Sequence, residues 1–178
     1  MTSVFDRQIQ NRNFLSPTGF KFNLARTPKV DFFANSANVP GINLGAAIQP
    51  TYLKDISIPG DKLSYNDFEL RFIVDENMEN YLSIHNWMRG LGYPESIQEY
   101  DRWRFEDQTN TSDPNISDGT LIIYSSNNTN NILVKFQGLW PSSLSTIEFD
   151  SSQSDVQYVT ATATFKYTIY NITSYEPG

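Results

Sequence analysis

His85 is the only histidine in the chain, so any Ser-His-Asp or imidazole acid–base chemistry must pass through it. It lies in a stretch of helical apolar spacing, beside the stripe, where a partly exposed structural imidazole is expected. Asp75, Glu76 and Glu79 offer grouped carboxylates for acid–base work. Their place at a helix start is already explained by capping and by the attraction of anions to the N-terminal end of the helix dipole. The run from Asp113 to Gly119 resembles the start of a calcium loop. Its glycine falls at position seven instead of six, and its twelfth residue is Tyr124 where the loop needs glutamate, so a solvated turn is expected. Gly90 and Gly92 follow a helix and do not open one, so with Pro94 they read as a stop signal and not a dinucleotide site.

Two further patterns touch on ligands. Arg102 and Arg104 alternate with Tyr100, Trp103 and Phe105, an arrangement that can stack on single-stranded nucleic acid or on sugars. Asp101, Glu106 and Asp107 crowd the same stretch and oppose phosphate, so a packed loop is expected there. Asn110, Asn115, Asn127 and Asn171 each open an N-glycosylation triplet, which an Asn-rich chain produces by chance. With no cysteine, disulfides, thiolate zinc sites and cysteine nucleophiles are excluded. The residues thus point to no catalytic, cofactor or metal site, and the reading is of a non-enzyme.

The elements that carry these residues are mostly strands. Val159, Ala161, Ala163, Phe165, Tyr167 and Ile169 alternate with Thr160, Thr162, Thr164, Lys166 and Thr168, which predicts one long strand with an apolar and a polar face. Phe20–Leu24, Phe68–Val74 and Ile132–Phe136 share the period of two, and Leu121–Tyr124 should pair with the last of these as a hairpin. Val30–Phe33 is a weaker strand. Tyr81, Ile84, Met88 and Leu91 recur at helical spacing with Leu82 and Trp87 flanking them, Asp75 as the expected N-cap and Arg89 in the last turn. Residues 38–65 and 93–119 read as loops, punctuated by Pro40, Gly41, Gly45, Pro50, Pro59 and Gly60 in the first and rich in Asn and Asp in the second.

At 178 residues, without a Pro/Gly/Ser linker, a single domain spanning 1–178 is expected, with an N-terminal arm over 1–18 and a long variable loop over 93–119. The first residues carry no signal-peptide pattern, no stretch approaches the ~20 apolar residues of a membrane span, and the absence of cysteine favours an intracellular birthplace. The net charge of −7, with 20 acidic against 13 basic residues, disfavours gripping nucleic-acid phosphates. Only 19% of residues are charged and 14% are aromatic, which suits β-structure and large protein contacts.

The order of motifs carries a resemblance. Val39, Pro40 and Gly41 are followed by Ile58, Pro59, Gly60, Asp61 and Lys62, then by the Phe68–Val74 strand running into Asp75. Later come Gly138, Leu139, Trp140 and Pro141, an acidic turn, and the Thr-rich strand. Over residues 20–170 this resembles the tail tube protein family of T-even-type contractile-tailed bacteriophages. The resemblance implies a mainly β, barrel- or sandwich-like protomer with one flanking α-helix. It implies hexameric rings that stack into a tube inside a contractile sheath, with DNA passing through the lumen without specific binding. The implied partners are further copies, the tail sheath protein, and baseplate and tube-terminating proteins, with no membrane and no cofactor. The implied location is the virion tail, after synthesis in the host cytoplasm. A tube initiator or terminator ring of the same fold stays open, as does a carbohydrate-binding β-sandwich using the aromatic loop at 93–107.

For assembly, the candidate segment is Pro40, Gly41, Tyr52, Leu53, Ile56, Ile58, Pro59, Gly60 and Asp61, set against an ordinary surface loop. The candidate family motif is Gly138, Leu139, Trp140 and Pro141. Within it Trp140 is expected in the core more than at an interface, although Trp is enriched at interface hot spots.

Overall fold

The structure is a computed structural model that describes residues 15, 17–27, 33–98, 115–125, 130–149, 152 and 158–174. The chain runs β1 (Phe20–Leu24), β2 (Phe33–Ala37), β3 (Ile42–Gln49), β4 (Ile56–Tyr65), β5 (Phe68–Ile73), α1 (Glu79–Gly92), β6 (Ser117–Tyr124), β7 (Asn130–Leu144), β8 (Thr160–Lys166) and β9 (Ile169–Ser174). Seven strands form one sheet in the order β1-β6-β7-β8-β5-β2, with β9 also paired to β7, while β3 and β4 form a separate two-stranded sheet. The expected mainly β fold with one helix is therefore present. The large sheet curls so that its edges β1 and β2 approach one another, but they do not pair, and the barrel is not closed.

Alternation selects what is buried. Phe22 and Leu24 of β1, Phe68, Leu70 and Phe72 of β5, and Ala161, Ala163 and Phe165 of β8 all point inward, as a period of two on a one-sided sheet requires. The curl brings distant strands into contact: the Phe68 ring lies 5.1 Å from Phe22 and 4.6 Å from Phe136. Offset and tilted pairs of this kind add to the area they bury.

Strand β7 is the spine. At 15 residues it exceeds the usual strand length of about 5–6 residues. Its first half pairs β6 on one side and β9 on the other, and its second half pairs β8. The single long strand expected over Val159–Ile169 is in fact interrupted at Tyr167–Thr168. The register nevertheless carries across the gap, from Lys166 opposite Trp140 to Ile169 opposite Gln137. The gap faces Gly138, whose φ of 65° is left-handed. Burial changes phase there on both strands. Val134 and Phe136 give way to Leu139 on β7, while Ala163 and Phe165 are succeeded by Tyr170. An irregularity of this kind bends and re-aims a strand, and here it turns the sheet through a corner.

The helix begins later than expected. Asp75 is not the residue that flanks the first turn; Met78 is, with a left-handed φ of 57°. Asp75 still caps, because the turn from Asp75 to Met78 folds its carboxylate back to accept the N–H groups of Glu79 (3.1 Å) and Asn80 (3.2 Å). The buried face is Asn80, Ile84, Trp87 and Gly90, so Trp87 is the helix's core anchor and not a flank, and Tyr81, Met88 and Leu91 are only partly covered. Asn80 donates to the Ile73 carbonyl at 2.9 Å and ties the helix to the end of β5. The stop is made by Tyr93, not glycine: it adopts φ 31° and donates its N–H to the Arg89 carbonyl at 2.7 Å.

Two loop expectations are corrected. Residues 42–49 and 56–65 pair as a hairpin, because Pro59 and Gly60 sit at an irregularity within a strand and do not break it. Residues 117–119, read as the end of a loop, belong to β6. Arg102, Trp103, Arg104 and Phe105 lie outside the described residues, as do Val30 and Phe32.

Candidate assembly surface

The hairpin β3–β4 makes no ladder to the main sheet, and nearly all of its residues are exposed. Ile42, Leu44, Ile48, Ile56, Ile58 and Leu63 are apolar and exposed along it. At the tip, Tyr52 and Leu53 stand fully in solvent, with Leu53 96% exposed. Two-stranded hairpins are marginal in water on their own, and a monomer has no use for apolar side chains along one. Near the middle, Leu44 pairs with Leu63 but Ala46 pairs with Pro59, so β4 carries extra residues around Gly60 and Asp61. This irregularity needs glycine, since a Cβ on Gly60 would lie 2.5 Å from the Gly45 carbonyl oxygen.

The base of the hairpin is held by three tyrosines. Pro40 precedes β3 and Asn66 follows β4, and both backbone carbonyls accept phenol hydrogens. Tyr170 donates to Pro40 at 2.8 Å and Tyr167 to Asn66 at 2.8 Å. Tyr65, the last residue of β4, places its ring 6.0 Å from Tyr167 and 5.8 Å from Tyr170. Phe136 closes the cluster from the core side, 5.1 Å from Tyr167. Burial first, then Tyr170, Tyr65 and Asp67, push the Tyr167 phenol up to about 12.

The sequence-derived candidates therefore fall into two places. Pro40 and Gly41 form the foot of the hairpin, Pro59, Gly60 and Asp61 its irregular middle, Ile56 and Ile58 its outer half, and Tyr52 and Leu53 its tip. Gly138, Leu139, Trp140 and Pro141 lie instead on β7 at the sheet corner. There Leu139 and Pro141 are buried, whereas Trp140, expected in the core, is 38% exposed on the outer face opposite Lys166. The phase change at Gly138 explains the difference, because it sends the residue after Leu139 outward.

The sequence matches the phage tail tube protein family over residues 1–173. This chain belongs to that family. Within it, the chain is 26% identical over 143 residues to the tail tube terminator protein of Enterobacteria phage T4, covering 78% of this chain and 76% of the relative. Its fold is similar to a chain of the anti-feeding prophage tube-terminating cap, with a TM-score of 0.61 at 15% identity over 98% of this chain and 100% of the other. It is similar also to a chain of the extended PVC sheath–tube complex, an extracellular contractile injection system, with a TM-score of 0.58 at 15% identity over 98% and 100%.

Two other surfaces of this tail tube family protein bear on chemistry. Outside β8, Thr162 and Thr164 share a polar face with Glu69 and Arg71 of β5. On it Lys166 pairs with Asp67 at 3.1 Å, and Arg71 donates to the Thr160 hydroxyl at 3.2 Å. His85 lines a groove of about 390 Å³ with Tyr81, Met88, Arg89, Gly92, Pro94 and Leu144. Its ring stacks on Tyr81 at 6.5 Å, and its Nδ1 is buried without a hydrogen-bond partner. Asp118, part of the calcium-loop reading, accepts the N–H of Gly138 at 3.3 Å and so has a structural task. Among the described residues no cluster of His, Asp and Glu is arranged to hold a metal.

Sequence reading missed Tyr65, Tyr167 and Tyr170. Strict alternation put Tyr167 and Ile169 on one face and did not reach Tyr170. The spacing of three between the two tyrosines, straddling a strand irregularity, was the available signal.

Proposed function

We propose that this protein forms the ring that terminates a phage tail tube, joined to the last tube ring through its β3–β4 hairpin. The observation that carries this reading is the match to a tail tube terminator over most of both chains. The repeating tube subunit, the first expectation from the resemblance, is less favoured. The fold likenesses to a cap chain and to a sheath–tube chain are nearly equal, so the preference for the terminating role rests on the sequence match.

In this reading copies of the chain close into a ring, six-fold as the family resemblance implies, with sheath and tube as neighbours. The hairpin supplies apolar area that is costly to leave in water, at about 25 cal/mol per Å² buried. The threonine face of β8 suits a channel wall, because its hydroxyls are neutral and Lys166 is paired with Asp67. The net charge of −7 per chain repels phosphate, so DNA crosses such a ring without sticking. The role is structural, as family membership and the match to a tail tube terminator support. The carbohydrate-binding alternative rested on the aromatic loop around Trp103, and membership of a tail tube family leaves it without support.

The test is Ile56→Asp with Ile58→Asp. The expected result is unchanged far-UV circular dichroism and loss of attachment to the ends of tubes assembled from the phage's tube subunit. Attachment at parental strength would remove the hairpin from the joint.

A further inference from the structure

Building on the terminating-ring reading, we infer that Tyr167 and Tyr170 are positioning residues that fix the direction of the β3–β4 arm before it meets a partner. Neither hairpin strand pairs with the main sheet, so backbone ladders do not set its angle. The hairpin's own foot is closed by Asn66 donating its N–H to Gly41 at 3.0 Å and by the Asn43 side-chain amide donating to Asn66 at 3.2 Å. Those bonds hold the two strands to each other, and the pair is joined to β2 and β5 only by the links 38–41 and 66–67.

The two phenols supply what the ladders do not. One holds the chain before β3 and the other the chain after β4, so both feet are pinned to the same short stretch of the main sheet. Two separated anchors resist rotation where a single one would act as a pivot. The Tyr65 ring, wedged against both tyrosines, blocks the remaining tilt. The clamp depends on the sheet corner, since the gap at Tyr167–Thr168 opposite Gly138 is what brings residues three apart onto one side.

Leverage makes the angle matter. From Gly41 to Pro50 the arm extends roughly 30 Å at about 3.3 Å per residue. A swing of about 10° at the foot then moves the tip by roughly 5 Å, more than a packed apolar joint tolerates. An arm held in its bound direction avoids the ordering cost that a swinging arm meets on docking. An arm spread over many directions weakens attachment by the fraction that is competent.

The chain has no cysteine, so Leu53→Cys at the tip and Glu69→Cys on the sheet accept spin labels cleanly. Pulsed electron spin resonance on the labelled chain should give a narrow tip-to-sheet distance distribution. Tyr167→Phe with Tyr170→Phe keeps the rings and removes both hydroxyls. The distribution should broaden, with attachment to tube ends weakened by about tenfold. Tyr81→Phe serves as the control, because Tyr81 donates to the Ser145 carbonyl away from the hairpin. A distribution in the double variant as narrow as the parent's would overturn the inference, and so would a broadened one with parental attachment. If the double variant loses its circular dichroism, each single variant releases one foot and is read in the same way. Failure of the parent itself to attach to tube ends contradicts the terminating role alone, because the arm's direction is measured on the isolated chain.

Discussion

Gly138 and Thr168 face each other across the β7–β8/β9 corner so closely that a Cβ on Gly138 would lie 2.6 Å from the Thr168 hydroxyl oxygen. This pair accounts for much of the architecture around the corner. The left-handed backbone at Gly138 and the gap at Thr168 change the phase of both strands together. That change buries Leu139, exposes Trp140 and brings Tyr170 beside Tyr167 at the foot of the hairpin.

Gly138→Ala should therefore destabilise by about 2 kcal/mol or more, combining the left-handed penalty of a non-glycine residue with the clash. Thr168→Ala in the same chain should recover the steric part and leave the conformational part. Urea denaturation of the single and double variants separates the two.

The two tryptophans at 87 and 140 should behave in opposite ways. Trp87 is buried against the sheet with the Arg26 guanidinium 5.3 Å from its ring centre, so Trp87→Ala should cost about 3–5 kcal/mol. Trp140→Ala, at a partly exposed outer position, should fall within about 1 kcal/mol of the parent. Denaturant midpoints at matched slopes give both values.

Gly60→Val should open the hairpin without unfolding the body. The new side chain has no room beside the Gly45 carbonyl, yet the hairpin is a sheet of its own. Hydrogen exchange should quicken across β3 and β4, while core amides of β5 and β8 keep their protection.

Stability should fall in alkali through Tyr167. Its phenol is raised from 10.0 to about 12 in the folded chain, so the folded state holds this proton more tightly than the unfolded one. The contribution is whole below pH 10 and is lost as pH rises through about 12. Thermal midpoints of the parent and Tyr167→Phe should converge over that window, and a constant difference would show that the phenol's ionisation is not linked to folding.

Much of the fold was legible because one-sided strands write their burial into the sequence. Phe20–Leu24 and Phe68–Val74 show it in full, and the apolar spacing around Ile84 located the helix. Three features were not legible, each for a physical reason. Pro59 and Gly60 look like loop residues because sequence does not distinguish a turn from an irregularity inside a strand. Trp140 and Ile169 were misjudged because alternation assumes constant phase, and a single left-handed glycine breaks it. Asp75 was identified as the capping residue, but its distance from the first helical turn depends on the left-handed Met78, which has no sequence signature. Of the assembly surface, the exposed apolar arm could be read as a segment. Its anchors could not, since Tyr170 and Pro40 are 130 positions apart.

Electron microscopy of the purified chain across a concentration series, alone and with tubes of the phage's tube subunit, tests the terminating role most directly. Single rings that never stack, and that bind tube ends and halt their growth, are the expected result. Long hollow filaments formed by this chain alone would contradict it.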